Sequence, residues 1–152
     1  MEMSTRTVNK IIQQHHTDKS ELIQILLEIQ REHHWLPRSA LSRVSTKLGI
    51  PLSQIYHIAT FYKAFSLIPQ GRHSVSVCLG TACHVRGAPR LLDKVTDVLD
   101  IRPGETSPDR KFTLNTVNCL GCCALGPVIV VDGEYHSDPD SKEITTIIAS
   151  CD

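Results

Sequence analysis

An excess of either charge is missing from this sequence, and aromatic rings are few. Lys+Arg and Asp+Glu both number 16, which leaves no formal net charge with neutral histidines. A surface built for nucleic acid shows as a basic excess, and the total contains none. Aromatic residues make up 5% of the chain, too few for a platform that stacks single-stranded bases. Long apolar runs are missing too; none approaches the roughly 20 residues that span a bilayer. The opening stretch, MEMSTRTVNK, has no apolar core, no small-residue cleavage site and no arginine-rich amphipathic character. These absences lead us to expect a soluble, cytoplasmic protein with no nucleic-acid partner and no direct membrane insertion. The glycines never form G-x-G-x-x-G, Gly121-x4-Gly126 runs into Pro127 rather than lysine, and no G-x-S-x-G elbow occurs. The chain alone is expected neither to bind NAD nor to turn over substrate.

What is present divides in two. Up to about residue 68 the pattern is helical. Asp18 and Glu21 read as a capping box, followed by Leu22, Ile25, Leu26 and Ile29 at the spacing of one helix face. Pro37 and Gly49-Ile50-Pro51 bracket a second helix with Leu41, Val44 and Leu48 inward. A third follows Pro51 and carries Ile55, Ile58, Ala59 and Tyr62. Pro69-Gln70-Gly71 breaks the pattern, which predicts a helical domain over 1–68 and a second domain over 71–152.

In the second domain the period changes to two. HSVSVC, His73 to Cys78, reads as a strand, and a helix from Pro89 carries Leu91, Leu92, Val95, Val98 and Leu99. After the turn-rich RPGETSPDR, KFTLNTVN resumes alternation. VIVV-DG-EYH has the Asp-Gly pair of a two-residue hairpin, and a last helix from Asp138 carries Ile144, Ile147, Ile148 and Cys151 on one stripe. Strand, helix, strand, hairpin and helix make an α/β order that matches a small thioredoxin-like layer.

Six cysteines in a reducing compartment read more readily as metal ligands or redox centres than as disulfides. Cys78 ends the first strand and Cys83 follows in CLGTACHVRGA. Cys119 ends the second strand and opens a loop with Cys122 and Cys123. If the two strands are parallel neighbours, both loops leave the same sheet edge and their thiols converge. Four thiolates suit zinc or an iron–sulfur cluster. Gly80, Gly87, Gly121 and Gly126 lie in or beside these loops, where backbone N–H groups can reach a net-anionic cluster. His84 and Arg86 place further donors beside Cys83, and a helix from Ala88 aims its positive end the same way. The first pair is C-x4-C rather than a zinc knuckle's C-x2-C, which favours iron–sulfur and leaves zinc open.

Three stretches carry a closer likeness: HHWLPRSALSRVSTKLGI, IATFYKAFSLIPQGRHSVSVCLGTACHVRGA and FTLNTVNCLGCCALGPVIVVDGEYH. The chain resembles the thioredoxin-like [2Fe-2S] family. That family includes the small iron–sulfur subunit of respiratory NADH dehydrogenase and the matching subunits of NAD-linked hydrogenases and formate dehydrogenases. The resemblance covers nearly everything after about residue 18. It implies an α/β thioredoxin-like [2Fe-2S] domain preceded by a small helical bundle, with Cys78, Cys83, Cys119 and Cys123 as cluster ligands. Cys122 stands where the family commonly has alanine and is expected to point away. The resemblance further implies electron transfer to or from a flavoprotein subunit that holds FMN and the NAD(P)H site. The expected parent is a soluble hydrogenase or flavin-bifurcating complex with its catalytic subunit, a formate dehydrogenase or similar, or alternatively the peripheral arm of respiratory NADH:quinone oxidoreductase.

Other readings compete. VSTKLGIPLSQIYHIATFY has the outline of a helix-turn-helix, but only Lys47 and Lys63 are basic nearby, so packing is the simpler role. Cys119-x2-Cys122 could be a thiol-disulfide centre, although that motif normally precedes a helix rather than Pro127 and a strand. The pairs His15-His16 and His33-His34 cannot chelate from one helix face, because neighbours point about 100° apart. They are expected at the surface or against a partner. Trp35 is expected to pack or dock, and Cys151 to have no chemical role.

Overall fold

The computed structural model describes residues 5–151; residues 1–4 of the opening stretch and residue 152 lie outside them. The chain splits into two compact units, Met1–Gln70 and Gly71–Asp152.

In the helical unit, α1 spans Thr5–Gln14 and buries Val8, Ile11 and Ile12, an i, i+3, i+4 set. His16 and Thr17 take left-handed backbone (φ 52° and 57°) and reverse the chain. The capping box expected at Asp18 and Glu21 is absent. Asp18 instead accepts from the Ser20 N–H and starts a short 3-10 turn, Lys19–Glu21, while Glu21 pairs with His15. Helix α2 then runs Leu22–His33 with Leu22, Ile25, Leu26 and Ile29 buried. Helix α3, Arg38–Leu48, follows Pro37 and ends on Gly49 in the left-handed region (φ 61°), with Ala40, Leu41, Val44 and Leu48 inward. Helix α4, Leu52–Phe61, buries Ile55 and Ala59 and half-buries Ile58. The expected stripe fails at its last member. The chain turns extended at Tyr62, which is exposed, and Phe65 fills the core in its place, edge-on to the Tyr62 ring at 6.3 Å. The α3–α4 pair therefore buries the apolar face that a helix-turn-helix reading would also predict, and spends it on the unit's own core.

The second unit is built on one four-stranded sheet, in the order β2-β1-β3-β4. Strand β1 is His73–Cys78, β2 Phe112–Val117, β3 Val128–Val131 and β4 Glu134–Ser137. β1 pairs parallel with β2 from His73↔Phe112 to Cys78↔Val117, and antiparallel with β3. The β3–β4 hairpin turns at Asp132 and Gly133, both left-handed (φ 49° and 91°), as an Asp-Gly turn of the primed type requires. Two longer helices pack on the sheet: α6, Ala88–Leu99, and α7, Ser141–Ser150. They join Val75, Val77, Leu114, Ile129 and Val131 in one core through Leu91, Val95 and Ile144. Full burial of each such side chain stabilises by about 1.5–3 kcal/mol before entropy is counted. A capping box at Asp140 and Glu143 starts α7, three residues inside the expected start at Asp138. Cys151 falls just past the helix instead of on it, half-buried against the same core.

Candidate metal centre

Because Cys78 and Val117 are register partners, β1 and β2 end at the same level and their loops leave one sheet edge together. The Leu79 N–H extends the ladder by one bond to the Val117 carbonyl, 2.8 Å. Strand β2 stops at Val117, two residues before Cys119, so Cys119 belongs to the loop and not to the strand end as expected. Between β1 and α6 lies a helix too short for periodicity to reveal, α5, Thr81–Val85, which buries Cys83. Its only sequence signal is the bracketing by Gly80 and Gly87.

One small recess is lined by Cys78, Cys83, Cys119, Cys122 and Cys123, together with Gly80, Thr81, Ala82 and Gly121. All four expected ligands are therefore brought together. Cys122 is brought with them: the expectation that it turns away is not met. It is half-buried and packs against Cys78, Cys83, Ala88 and Val128. The loop's tight turn, with Gly121 left-handed at φ 79°, leaves the neighbouring thiols Cys122 and Cys123 both at the recess.

The thiols differ in depth. Cys78 and Cys83 are 2% exposed, whereas Cys119 and Cys123 are exposed. Burial pushes the Cys78 thiol up, but N–H donation from Gly80 and Leu120 and a bond from Cys83 outweigh it, and the net shift is downward. Burial, then the Cys78 sulfur, then the Cys122 and Cys123 charges push Cys83 up to about 11. Thiolates crowded this closely repel one another unless a cation sits among them. The Gly121 N–H donates to Cys119 Sγ at 3.3 Å. The two loops touch at their glycines: a Cβ on Gly80 would lie 2.8 Å from the Asn118 carbonyl oxygen, and one on Gly126 2.8 Å from Cys83 Sγ. Arg86, expected to place donors beside Cys83, ties the loops together. Its Nη1 donates to the carbonyls of Cys123, Gly126 and Ala124 at 2.7, 3.3 and 3.4 Å.

Of the other residues singled out, His15 bridges Glu28 (3.0 Å) and Glu21 (3.4 Å) within the helical unit. His33 ends α2, and its buried Nε2 has no hydrogen-bond partner among the described residues. His34 caps α2 in the left-handed region, and Trp35 is half-buried. Among the described residues no helix is long and apolar enough to cross a membrane.

A mixed sheet with two thiol-bearing loops converging on one recess has the layout of a thioredoxin-like domain with a recess suited to a thiolate-bound metal centre. The chain belongs to the thioredoxin-like [2Fe-2S] ferredoxin family, whose profile matches residues 8–152. It is 37% identical over 132 residues to an NADH-quinone oxidoreductase subunit of Rhizobium meliloti (strain 1021), covering 87% of this chain and 79% of that protein. It is 31% identical over 144 residues to the NADP-reducing hydrogenase subunit HndA of Solidesulfovibrio fructosivorans, covering 95% and 84%. The fold is shared with a chain of an NAD+-reducing [NiFe]-hydrogenase solved in the air-oxidized state, with a TM-score of 0.71 at 23% identity. That likeness covers 86% of this chain and 22% of the hydrogenase chain. The family's cofactor is a [2Fe-2S] cluster, and the recess fits it. Its donors are all thiols, and backbone N–H groups already point at two of them. Its walls close only because Gly80 and Gly126 lack side chains.

Proposed function

We propose that this chain is the electron-transfer subunit of a multi-subunit NAD(P)H-dependent oxidoreductase, with Cys78, Cys83, Cys119 and Cys123 as the cluster ligands. The observation that supports this is the convergence of both cysteine loops on one recess at the shared end of β1 and β2. Bound there, a [2Fe-2S] cluster supplies a store for one electron at a time, with four-thiolate centres of plant type lying near about −400 mV. The chain's own residues set the conditions. Four thiolates hold the irons, and the N–H groups of Gly80, Leu120 and Gly121 draw charge off the Cys78 and Cys119 sulfurs. Leu79, Val117, Leu120 and Val128 pack beneath the loops and keep water from that side.

The partner is a flavoprotein subunit that holds FMN and the NAD(P)H site, joined to a catalytic subunit of hydrogenase, formate dehydrogenase or similar type. The likeness to the hydrogenase subunit HndA supports a soluble or flavin-bifurcating complex. The 37% identity to an NADH-quinone oxidoreductase subunit supports the second reading, a place in a quinone-reducing complex. Affinity purification from the native host separates them: hydrogenase-type or quinone-oxidoreductase-type chains co-purify. Anaerobic isolation with zinc in place of iron would overturn the electron-transfer reading itself.

A further inference from the structure

At the other end of β1 from the cysteine loops, three donors of different chemistry meet. They are His73, the first residue of β1, Asp132 in the hairpin turn, and Cys151 just past α7. One ligand atom from each lies within 4.8 Å of the other two. The carboxylate is already held in place. Asp132 Oδ1 accepts from the Ser74 N–H at 2.7 Å, and Oδ2 lies 2.6 Å from His73 Nδ1. His73 in turn lies against the Phe112 ring, tilted by 36° with 5.4 Å between centroids. The Cys151 Sγ sits 3.4 Å from the Ile147 carbonyl, at the edge of the core.

From this placement we propose that His73, Asp132 and Cys151 form a second metal site, selective for a late first-row divalent cation of the zinc type. Imidazole, carboxylate and thiolate together match zinc, whereas calcium and magnesium require all-oxygen shells. With metal–ligand bonds of about 2.0–2.3 Å, tetrahedral donors sit about 3.3–3.8 Å apart. The imidazole–carboxylate pair therefore opens slightly and the thiol closes by about an ångström, movements within reach of side-chain rotation. On binding, the cation takes the place of the thiol proton, and water completes the shell. The site ties the start of β1, the hairpin turn and the end of α7 to one ion. Five residue steps of β1 at about 3.3 Å place it roughly 17 Å from the cysteine recess, so it does not draw on the cluster ligands.

The experiment uses the full chain with its cluster oxidised, a diamagnetic state against which high-spin cobalt gives a clean paramagnetic resonance. Cobalt(II) is added in stoichiometric amount and the chain is desalted. The expected result is about one cobalt retained per chain, with iron content unchanged. His73→Gln and Cys151→Ser each lower cobalt affinity about tenfold or more. Asp132→Asn does the same while keeping an Asn-Gly turn that favours the same hairpin, so loss there is not loss of fold. No retained cobalt in the unsubstituted chain overturns the proposal. So does cobalt retained equally by the three variants, which is also the outcome if the ion lodges among the recess thiols instead.

Discussion

Adding one methyl group at Gly126 tests the recess directly. Its Cβ would stand 2.8 Å from Cys83 Sγ, 3.4 Å from the Cys123 carbonyl oxygen and 3.6 Å from Cys83 Cα. Ordinary non-bonded contact is about 3.5–4.0 Å, so the sulfur or the loop has to give by close to an ångström. A metal site tolerates ligand errors of about 0.2 Å, and Cys83 is 2% exposed inside α5 with little room to retreat. Gly126 itself is extended, φ −67° and ψ 149°, a conformation any residue adopts. The penalty therefore falls on the thiol and not on the backbone. Overpacking of this size costs about 1–3 kcal/mol, little enough for the chain to remain folded. We expect Gly126→Ala to purify with several-fold less iron and weakened visible absorption, while its far-ultraviolet circular dichroism is unchanged. Gly104→Ala is the control. Gly104 has a left-handed φ of 89°, and a Cβ there would meet no described atom within 4 Å, so Gly104→Ala should lose about 1–2 kcal/mol of stability and no iron. If Gly126→Ala holds iron as firmly as the unsubstituted chain, with the same resonance signal on reduction, the reasoning about Cys83 is wrong.

Three further outcomes are expected, two at the recess and one in the helical unit. Cys122→Ala should keep the visible charge-transfer bands and Cys119→Ala or Cys123→Ala should abolish them; because Cys122 also lines the recess, a colourless Cys122→Ala protein would move the fourth ligand to that position. Arg86→Gln removes all three carbonyl contacts between the loops, so iron should be released to a chelator several-fold faster, with Arg86→Lys restoring part of the difference. In the helical unit, the Glu28 hydrogen bond raises the His15 pKa above its usual 6.5, helped by Glu28's charge and by Glu21 and opposed by burial. A folded value above the unfolded one means that the stabilisation is complete below about pH 6.5 and fades as pH climbs through the raised value. Urea midpoints measured on either side of neutrality should show that loss in the unsubstituted chain and not in His15→Gln.

The strands and the hairpin were legible because two-residue alternation and an Asp-Gly pair leave few other folds for His73–Cys78 and Val128–Ser137. The convergence of the loops follows from the parallel pairing of β1 and β2. Helix α5 was not legible, since five residues are too few to show a period. Nor was the direction of Cys122: a C-x2-C and a C-x3-C loop both fit within the five residues from Cys119 to Cys123, and the fold brings Cys122 and Cys123 both to the recess. The stripe through Tyr62 misled because apolar spacing continues past the point where the backbone leaves the helix. Contacts between distant segments, Arg86 with the second loop or His73 with Asp132 and Cys151, carry no local pattern at all.

The unequal depth of the recess thiols gives the centre an inside and an outside. Cys78 and Cys83 are buried on the recess's inner side, while Cys119 and Cys123 in the second loop meet solvent. A cluster held there would meet peroxide, oxygen or a chelator first at that outer loop. A neighbouring protein seated over that loop would protect the centre, and an orphaned chain would bleach sooner than an assembled one.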